Sequence, residues 1–157
     1  MIAAIGKNRE LGKDNRLLWH LKEDFQRFKN LTTGNVVIMG RKTYDSLPEK
    51  NKPLPNRINI IISRNKSWSP LGSYVFNSLE EAISRAKKFN KEIFIIGGAS
   101  VYEQGIKYSD KLYLTVISKE YPDADAFFPD YSEFKKVIFE ENHQEKDLSY
   151  RFIDLGK

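Results

Sequence analysis

Three short apolar runs are the clearest feature of the hydrophobic pattern. They are Val36–Met39, Ile58–Ile62 and Ile93–Ile96, and polar residues hardly interrupt them. Strands buried on both faces have this pattern, because a parallel sheet covered by helices exposes neither face to water. The pattern therefore predicts a parallel sheet with helices on both faces.

Two amphipathic helices are predicted beside these strands. Ser78 followed by Glu81 forms a capping box, and apolar residues then recur at helical spacing, which predicts a helix over Ser78–Lys88. A second helix is predicted over Leu21–Leu31. Its apolar stripe consists of Leu21, Phe25, Phe28 and Leu31.

From about residue 110 onward, the sequence pattern favours strands rather than alternating strands and helices. Lys111–Ser118, Phe134–Glu140 and Ser149–Leu155 have strand patterns, with no helix between the last two. Those two strands are expected to pair antiparallel. We therefore predict one α/β domain over residues 1–157. Its predominantly parallel central sheet is flanked by helices on both faces and has an antiparallel C-terminal edge.

One carboxylate occupies an unexpected position on the first helix. Asp24 lies three residues after Leu21 and four before Phe28, so it falls on the apolar stripe, whereas Glu23 is predicted to face water. An acid that faces an apolar region has a raised pKa and can handle a proton or anchor a ligand. From the pattern alone, an equal alternative is that Asp24 caps the helix start and interacts with its dipole.

Composition excludes several classes of site. The 157 residues include no cysteine and two histidines, so disulfides and thiolate metal sites are excluded and we expect no metal site. The net charge of +5 could serve nucleic acid or a small polyanion, but the basic residues are dispersed, so we expect no nucleic-acid partner. We find no secretory signal and no apolar stretch near the ~18 residues of a membrane helix. A cytoplasmic monomer is expected.

Candidate anion-binding residues follow the buried strands. The segments are Gly40–Thr43, Ser63–Arg64 and Gly97–Ser100. Ligands bind at the carboxyl ends of strands in open α/β sheets, where glycine allows close backbone approach and arginine or lysine attracts phosphate. There is no G-x-G-x-x-G after a strand, and the apolar strand inside Gly34–Thr43 rules out a P-loop.

Taken together, these residues resemble bacterial dihydrofolate reductases over nearly the whole chain. The matching landmarks, in order, are Ile2–Ala4, Gly12 through Trp19–Leu21 with Asp24 and Phe28, Val37–Thr43, Pro53–Arg57, Ile95–Gly98 with Val101–Glu103, Leu112–Thr115, and Asp125 with Phe127–Pro129. Their order and spacing are specific to that family. The expected activity is NADPH-dependent reduction of dihydrofolate.

The resemblance also implies residue roles. Asp24 would bind the pterin and promote its protonation at N5, Thr115 would hydrogen-bond Asp24, and Trp19 would hold a water nearby. Arg57 would grip the glutamate α-carboxylate of folate through two parallel hydrogen bonds. The other substrate-binding residues would be Ile2, Ala4, Phe25, Phe28, Leu47, Leu54, Ile96 and Tyr102.

NADPH would lie across the strand ends, with Arg64 on the side of its 2′-phosphate. The family has a cis peptide bond between Gly97 and Gly98, and the segment Gly12–Leu18 resembles its mobile loop, which Asp125 would contact when closed. The cofactor-binding residues would be Ala4, Gly12, Leu17, Gly40, Arg41, Lys42, Thr43, Ser63, Arg64, Ile96, Gly97, Gly98, Ala99, Ser100, Val101 and Tyr102.

Some positions depart from the family pattern. Leu18 and Lys22 replace frequent prolines, Ala126 replaces a common threonine and Ala99 a common glycine. None of these removes a catalytic group. Two alternatives remain: a related pterin or pyrimidine reductase on the same fold, which would have no use for Arg57, and a basic nucleic-acid-binding module, whose affinity would fall steeply with salt.

Overall fold

Residues 1–157, all of which are described by a computed structural model, form eleven strands and four α-helices. The helices are α1 (Lys22–Thr32), α2 (Arg41–Ser46), α3 (Leu79–Lys87) and α4 (Ala99–Gly105). The strands are β1 (Ile2–Ile5), β2 (Glu10–Lys13), β3 (Arg16–Leu17), β4 (Val36–Gly40), β5 (Ile58–Ile62), β6 (Ser73–Phe76), β7 (Ile93–Ile95), β8 (Lys111–Ile117), β9 (Ala126–Phe127), β10 (Lys136–Glu145) and β11 (Leu148–Gly156).

The three apolar runs form the parallel sheet that was predicted from them. Its strand order is β6-β5-β4-β7, and every neighbouring pair is parallel. Strand β6 was not predicted, since Ser73–Phe76 is short and only partly buried. The helix predicted over Ser78–Lys88 is α3, and the Ser78 hydroxyl accepts a hydrogen bond from the Glu81 amide.

Successive residues of β4 enter two different cores. Val36 and Ile38 pack in a core that α3 and α4 cover. Val37 and Met39 pack in a second core, which includes Tyr44 of α2 and receives side chains from α1. Because side chains alternate along a strand, the helices lie on both faces of the sheet, as predicted.

The C-terminal strands form a second four-stranded sheet, in the order β1-β8-β11-β10. Strand β1 is parallel to β8, whereas β11 is antiparallel to both β8 and β10, which confirms the antiparallel edge. Strands β3, β2 and β9 form a third, smaller sheet. The strands therefore hydrogen-bond as three sheets, although Ala3 and Ile5 of β1 share one core with Val36 and Ile38 of β4. Continuous packing, not continuous hydrogen bonding, unites the domain.

One strand boundary differs from its prediction. The expected strand Phe134–Glu140 is observed as β10, which begins at Lys136 and ends at Glu145. Phe134 is buried in the core instead, and the strand extends because it pairs along nearly the whole of β11, with a bulge between Val137 and Phe139. None of the four helices has the length and apolar character needed to cross a membrane.

Truncation of a core residue of β4 should destabilise the protein strongly. Ile38 is 0% exposed, so Ile38→Ala is expected to lower the free energy of unfolding by about 2–5 kcal/mol, measured by urea unfolding. The same change at the half-exposed Ile138 should cost less than about 1 kcal/mol. Equal losses from the two variants would contradict the placement of the core at β4.

Candidate active site

Asp24 lies in the first turn of α1 and faces β8. Thr115 Oγ1 donates a hydrogen bond to Asp24 Oδ1 at 2.6 Å, and Thr115 itself is buried. The helix begins after Leu21, and no side chain caps its first turn. The inward position predicted from the apolar stripe is therefore confirmed. Asp24 does not cap the helix, although it lies in the first turn, where a carboxylate also interacts favourably with the helix dipole.

Burial controls the ionisation of Asp24. Loss of solvation raises the pKa of its carboxyl above the ordinary value of 3.8, while the hydrogen bond from Thr115 and the charge of Arg27 act in the opposite direction. The charge of Asp24 also reaches Tyr102, whose pKa is raised mainly by burial and further by this carboxylate. A carboxyl group with a raised pKa in a partly enclosed position can carry a proton at higher pH than a surface aspartate.

Trp19 packs beside the start of α1. Its ring is buried with Leu21 and Ile117 and lies 5.2 Å from the ring of Tyr121. The indole Nε1–H has no hydrogen-bond acceptor among the protein atoms. A buried donor without a protein partner costs free energy, so it marks a place where a small polar molecule would be stabilised.

The apolar stripe of α1 is buried unevenly. Leu21 is fully buried, and Phe28 and Leu31 pack against the second core, but Phe25 is 41% exposed. The ring of Phe25 contacts that of His20, with 4.7 Å between their centroids. An aromatic surface therefore stays open at Phe25, the residue that follows Asp24, and it is suited to a flat heterocycle.

Arg57 is oriented by neutral acceptors. Its Nε donates to the Pro55 carbonyl at 2.9 Å and its Nη1 to Thr32 Oγ1 at 3.2 Å, with the guanidinium 5.8 Å from the ring centre of Phe28. No carboxylate lies within 4.0 Å of it, and partial burial lowers its pKa below that of a free arginine. A fixed guanidinium without an internal counter-charge is suited to bind a ligand carboxylate.

The approach to Arg57 is rigid. The side-chain amide of Asn59, which is buried, accepts a hydrogen bond from the Leu54 amide and donates one to the Leu54 carbonyl, each at 2.9 Å. Leu54 is buried in the second core, against which Leu47 also packs. Ile2 belongs to the same core, and Ile96 packs against it. The structure therefore brings most of the predicted substrate-binding residues to one face of the parallel sheet.

The glycine pair after β7 lies against the start of α2. The Gly40 amide donates to the Gly97 carbonyl at 2.8 Å, and the peptide bond between Gly97 and Gly98 is cis. Gly97 has a φ of +127°, which only glycine adopts readily, and a Cβ there would lie 3.4 Å from Thr43 Oγ1. The backbone of Gly97 and Gly98 therefore faces the Thr43 hydroxyl across a narrow space, which we call the glycine cradle.

Helix α4 continues from this cradle toward β1. Ala99 is its first residue, Ser100 is exposed, and Val101 and Tyr102 are buried. The Tyr102 hydroxyl donates to the Ile2 carbonyl at 2.7 Å. In the second sheet, Ala4 is the register partner of Thr115. The glycine cradle and the carboxylate are thus connected through β1.

The basic residues that follow β4 and β5 are more exposed to solvent than the glycine pair. Arg41 stacks on Trp68 at 4.3 Å and pairs with Asp45 at 3.4 Å, while Lys42 and Arg64 are exposed. Ser63 is buried, and its hydroxyl accepts a hydrogen bond from the Asn65 amide. Trp68 was missed by sequence reasoning, because a tryptophan in an irregular segment carries no periodic signal.

The segment that contains Gly12 and Leu17 forms a β-hairpin. Strands β2 and β3 are joined by Asp14 and Asn15, both of which have positive φ, as in the mirror-image turns favoured by hairpins. Asp125 Oδ2 accepts a hydrogen bond from the Asp14 amide at 3.0 Å, so Asp125 contacts this segment. Leu17 is 56% exposed, so its side chain packs against little of the protein.

A buried carboxylate at the base of this hairpin was also missed. Glu10 accepts hydrogen bonds from the amides of Asn8 and Tyr121, at 2.7 and 2.9 Å. Burial acts to raise the pKa of Glu10, but the hydrogen bonds together have the larger, opposite effect, so the pKa lies below its ordinary value. Glu10 therefore stays ionised and holds the hairpin in place, a role that leaves no trace in the hydrophobic pattern.

Comparisons with known proteins agree with this geometry. A family model described as dihydrofolate reductase matches residues 1–157. The chain is 40% identical to the dihydrofolate reductase of Buchnera aphidicola over 162 aligned positions, which cover 100% of this chain and 98% of the relative. It is 37% identical to that of Bacillus subtilis, covering 96% and 88% of the two chains. It is 39% identical to that of Neisseria meningitidis, covering 98% and 94%.

Replacing Asp24 should stabilise the fold at neutral pH. Because burial raises the pKa of Asp24 in the folded state, the native protein binds this proton more tightly than the unfolded chain does. The free energy of unfolding is therefore highest, as far as Asp24 is concerned, below pH 3.8, and it falls as the pH rises through the folded pKa. Asp24→Asn is therefore expected to melt at a higher temperature than the wild type at about pH 7, with the difference shrinking in acid. A lower melting temperature for the variant at neutral pH would show that the carboxylate is not destabilised by burial.

Proposed function

Because this chain belongs to the dihydrofolate reductase family, we propose that it reduces 7,8-dihydrofolate to 5,6,7,8-tetrahydrofolate with NADPH as the reductant. The observation that carries the proposal is the partly enclosed Asp24 carboxyl, with its raised pKa, held by Thr115 beside the open face of Phe25. This combination offers a proton and an aromatic surface to the same flat ring.

Asp24 has two tasks in this proposal. Its carboxylate accepts hydrogen bonds from N3 and the 2-amino group of the pterin, which fixes the ring against Phe25 and Phe28. Its proton affinity then promotes protonation at N5, with a water on Trp19 Nε1 as the immediate donor. The raised pKa supports this role, since a general acid works best when its pKa lies near the working pH. Thr115 keeps the carboxyl in one orientation.

Arg57 binds the other end of the substrate. Its guanidinium would form two parallel hydrogen bonds with the α-carboxylate of the glutamate tail. The support is its neutral surroundings, because both of its observed acceptors, the Pro55 carbonyl and the Thr32 hydroxyl, leave its charge uncompensated. The apolar side chains between Asp24 and Arg57 would line the middle of the ligand and exclude water; they are Ile2, Phe28, Leu47, Leu54 and Ile96.

The residues at the strand ends fit a dinucleotide. Gly97 and Gly98 leave space where a Cβ would meet the Thr43 hydroxyl, and Arg41, Lys42 and Arg64 provide positive charge for phosphates. NADPH supplies a hydride to the pterin ring when it is bound. The chain's own contribution would be to hold the two ligands next to each other, with Ala4 and Tyr102 between the glycine cradle and Asp24.

The β2–β3 hairpin would cover this junction. Its hydrogen bond from the Asp14 amide to Asp125 holds the hairpin against the segment that precedes β9. Closure would bring Gly12 and Leu17 over the ligands and exclude water from the reacting atoms. We expect the protein to work as a cytoplasmic monomer on this small-molecule substrate, with no nucleic-acid partner.

The proposal is tested by the NADPH absorbance after protein, NADPH and dihydrofolate are mixed. The wild type should consume NADPH only when dihydrofolate is present. Asp24→Asn should bind NADPH normally but lose about 100-fold or more of turnover at neutral pH, with partial recovery in acid, because the proton must then come from solution. The exposed Glu133→Gln serves as a control that changes the same charge elsewhere. Unchanged turnover in Asp24→Asn would remove Asp24 from the mechanism.

Replacement of Arg57 should affect only substrates with a glutamate tail. Arg57→Lys keeps the charge but loses the two-pronged geometry, so KM for dihydrofolate should rise about tenfold, the factor supplied by one charged hydrogen bond of ~1.5 kcal/mol. A dihydropterin without the tail should be reduced equally well by both proteins. Arg85→Lys on α3 is the matched control. Turnover of a ribosylated pyrimidine in preference to dihydrofolate would favour a related reductase instead.

A further inference from the structure

A buried ion pair lies one helical turn beyond Asp24. Arg27 of α1 donates through Nη2 to Asp154 Oδ1 of β11, and their side chains are only 15% and 12% exposed. The guanidinium also stacks on the ring of Phe152 at 4.7 Å. Because residues three apart on a helix are neighbours, Arg27 stands on the same side of α1 as Asp24.

The two strands that hold α1 are themselves paired. Thr115 of β8, which binds Asp24, is the register partner of Phe152 of β11, on which Arg27 stacks. Asp154 follows two residues later on the same face of β11. The first two turns of α1 are therefore attached to one small area of the sheet by two polar contacts, one from Asp24 and one from Arg27.

We propose that Arg27 and Asp154 form a positioning pair that fixes α1 on the sheet and sets the electric field at Asp24. This inference rests on the proposed catalytic role of Asp24. Asp154 neutralises most of the charge of Arg27, so Asp24 experiences only part of a nearby cation. Without Asp154, the full positive charge would act on Asp24 and stabilise its ionised form. Neither residue touches the substrate in this arrangement.

The other charged groups around the pair are few. Lys111 lies 3.7 Å from Asp154 and 4.3 Å from the ring centre of Tyr113, whose hydroxyl donates to Glu92. On the far side of Asp24, Glu23 accepts a hydrogen bond from the Tyr150 hydroxyl, and its Oε2 lies 2.9 Å from His143 Nδ1, although its side chain is 59% exposed. Tyr102 faces Asp24 from α4 and remains neutral. Arg27 is the cation whose charge lowers the pKa of Asp24.

This arrangement predicts opposite effects from the two halves of the pair. Asp154→Asn leaves Arg27 and Lys111 uncompensated, so the pKa of Asp24 should fall by about half a unit or more. Arg27→Met removes the cation and leaves Asp154 negative, so the pKa of Asp24 should rise by a similar amount. Arg27→Lys keeps the charge and should restore most of the wild-type value. The double variant Arg27→Met/Asp154→Asn should lie between the two single variants.

The measurement is a carbon-13 NMR titration of the Asp24 carboxyl in the ligand-free protein, with the signal identified by its loss in Asp24→Asn. Glu140→Gln is the matched control, because Glu140 pairs with Arg151 across β10 and β11 at an exposed position. It should leave the titration unchanged. Shifts of the same sign from Asp154→Asn and Arg27→Met, or no shift from either, would overturn the inference and leave the pair with a structural role alone.

Steady-state kinetics separate this inference from the proposed function. The decrease of kcat with rising pH should move to lower pH in Asp154→Asn and to higher pH in Arg27→Met, with little change in the KM for NADPH. If the wild type does not reduce dihydrofolate, the proposed function fails, and the NMR titration still decides whether the pair controls Asp24. If the wild type is active but both variants keep its pH profile, the inference alone fails.

Discussion

The hydrogen bond between Thr115 and Asp24 joins the first turn of α1 to the middle of β8, and the candidate site is organised around it. A carboxyl group in this position is poorly solvated, which raises its pKa and makes its protonated form accessible at higher pH. The same burial makes the ionised form costly, so the protein gives up stability at the position where it would carry out chemistry. Thr115 and Arg27 limit that cost without removing it.

Because side chains alternate along β4, one face of this strand packs in the core and the other faces the candidate substrate site. Val36 and Ile38 face the core covered by α3 and α4, which is closely packed. Val37 and Met39 face the side where α1 and α2 lie and where the proposed substrate-binding residues collect. Since β4 also delivers Gly40 to the glycine pair after β7, one strand connects the core, the substrate side and the cofactor side.

Local sequence patterns predicted those site residues whose polarity differs from that of their neighbours in the sequence. Asp24 was found because a charged residue interrupts an apolar stripe, and the strand ends were found because glycine and basic residues follow buried strands. Arg57 became a candidate only through the family resemblance, since an arginine after a proline-rich turn carries no distinctive signal. Trp68, Glu10 and Asp154 were missed, because their roles arise from partners distant in sequence.

The sequence by itself determined the α/β class, the parallel strands and the inward face of α1, since these follow from the periodicity of apolar residues over short stretches. Only the tertiary structure decided which residues meet Asp24. Thr115 lies 91 residues beyond it, and Asp154 lies 127 residues beyond Arg27. Contacts of this kind depend on the register of β8 and β11, and register is set by packing over the whole sheet, so no local pattern contains it.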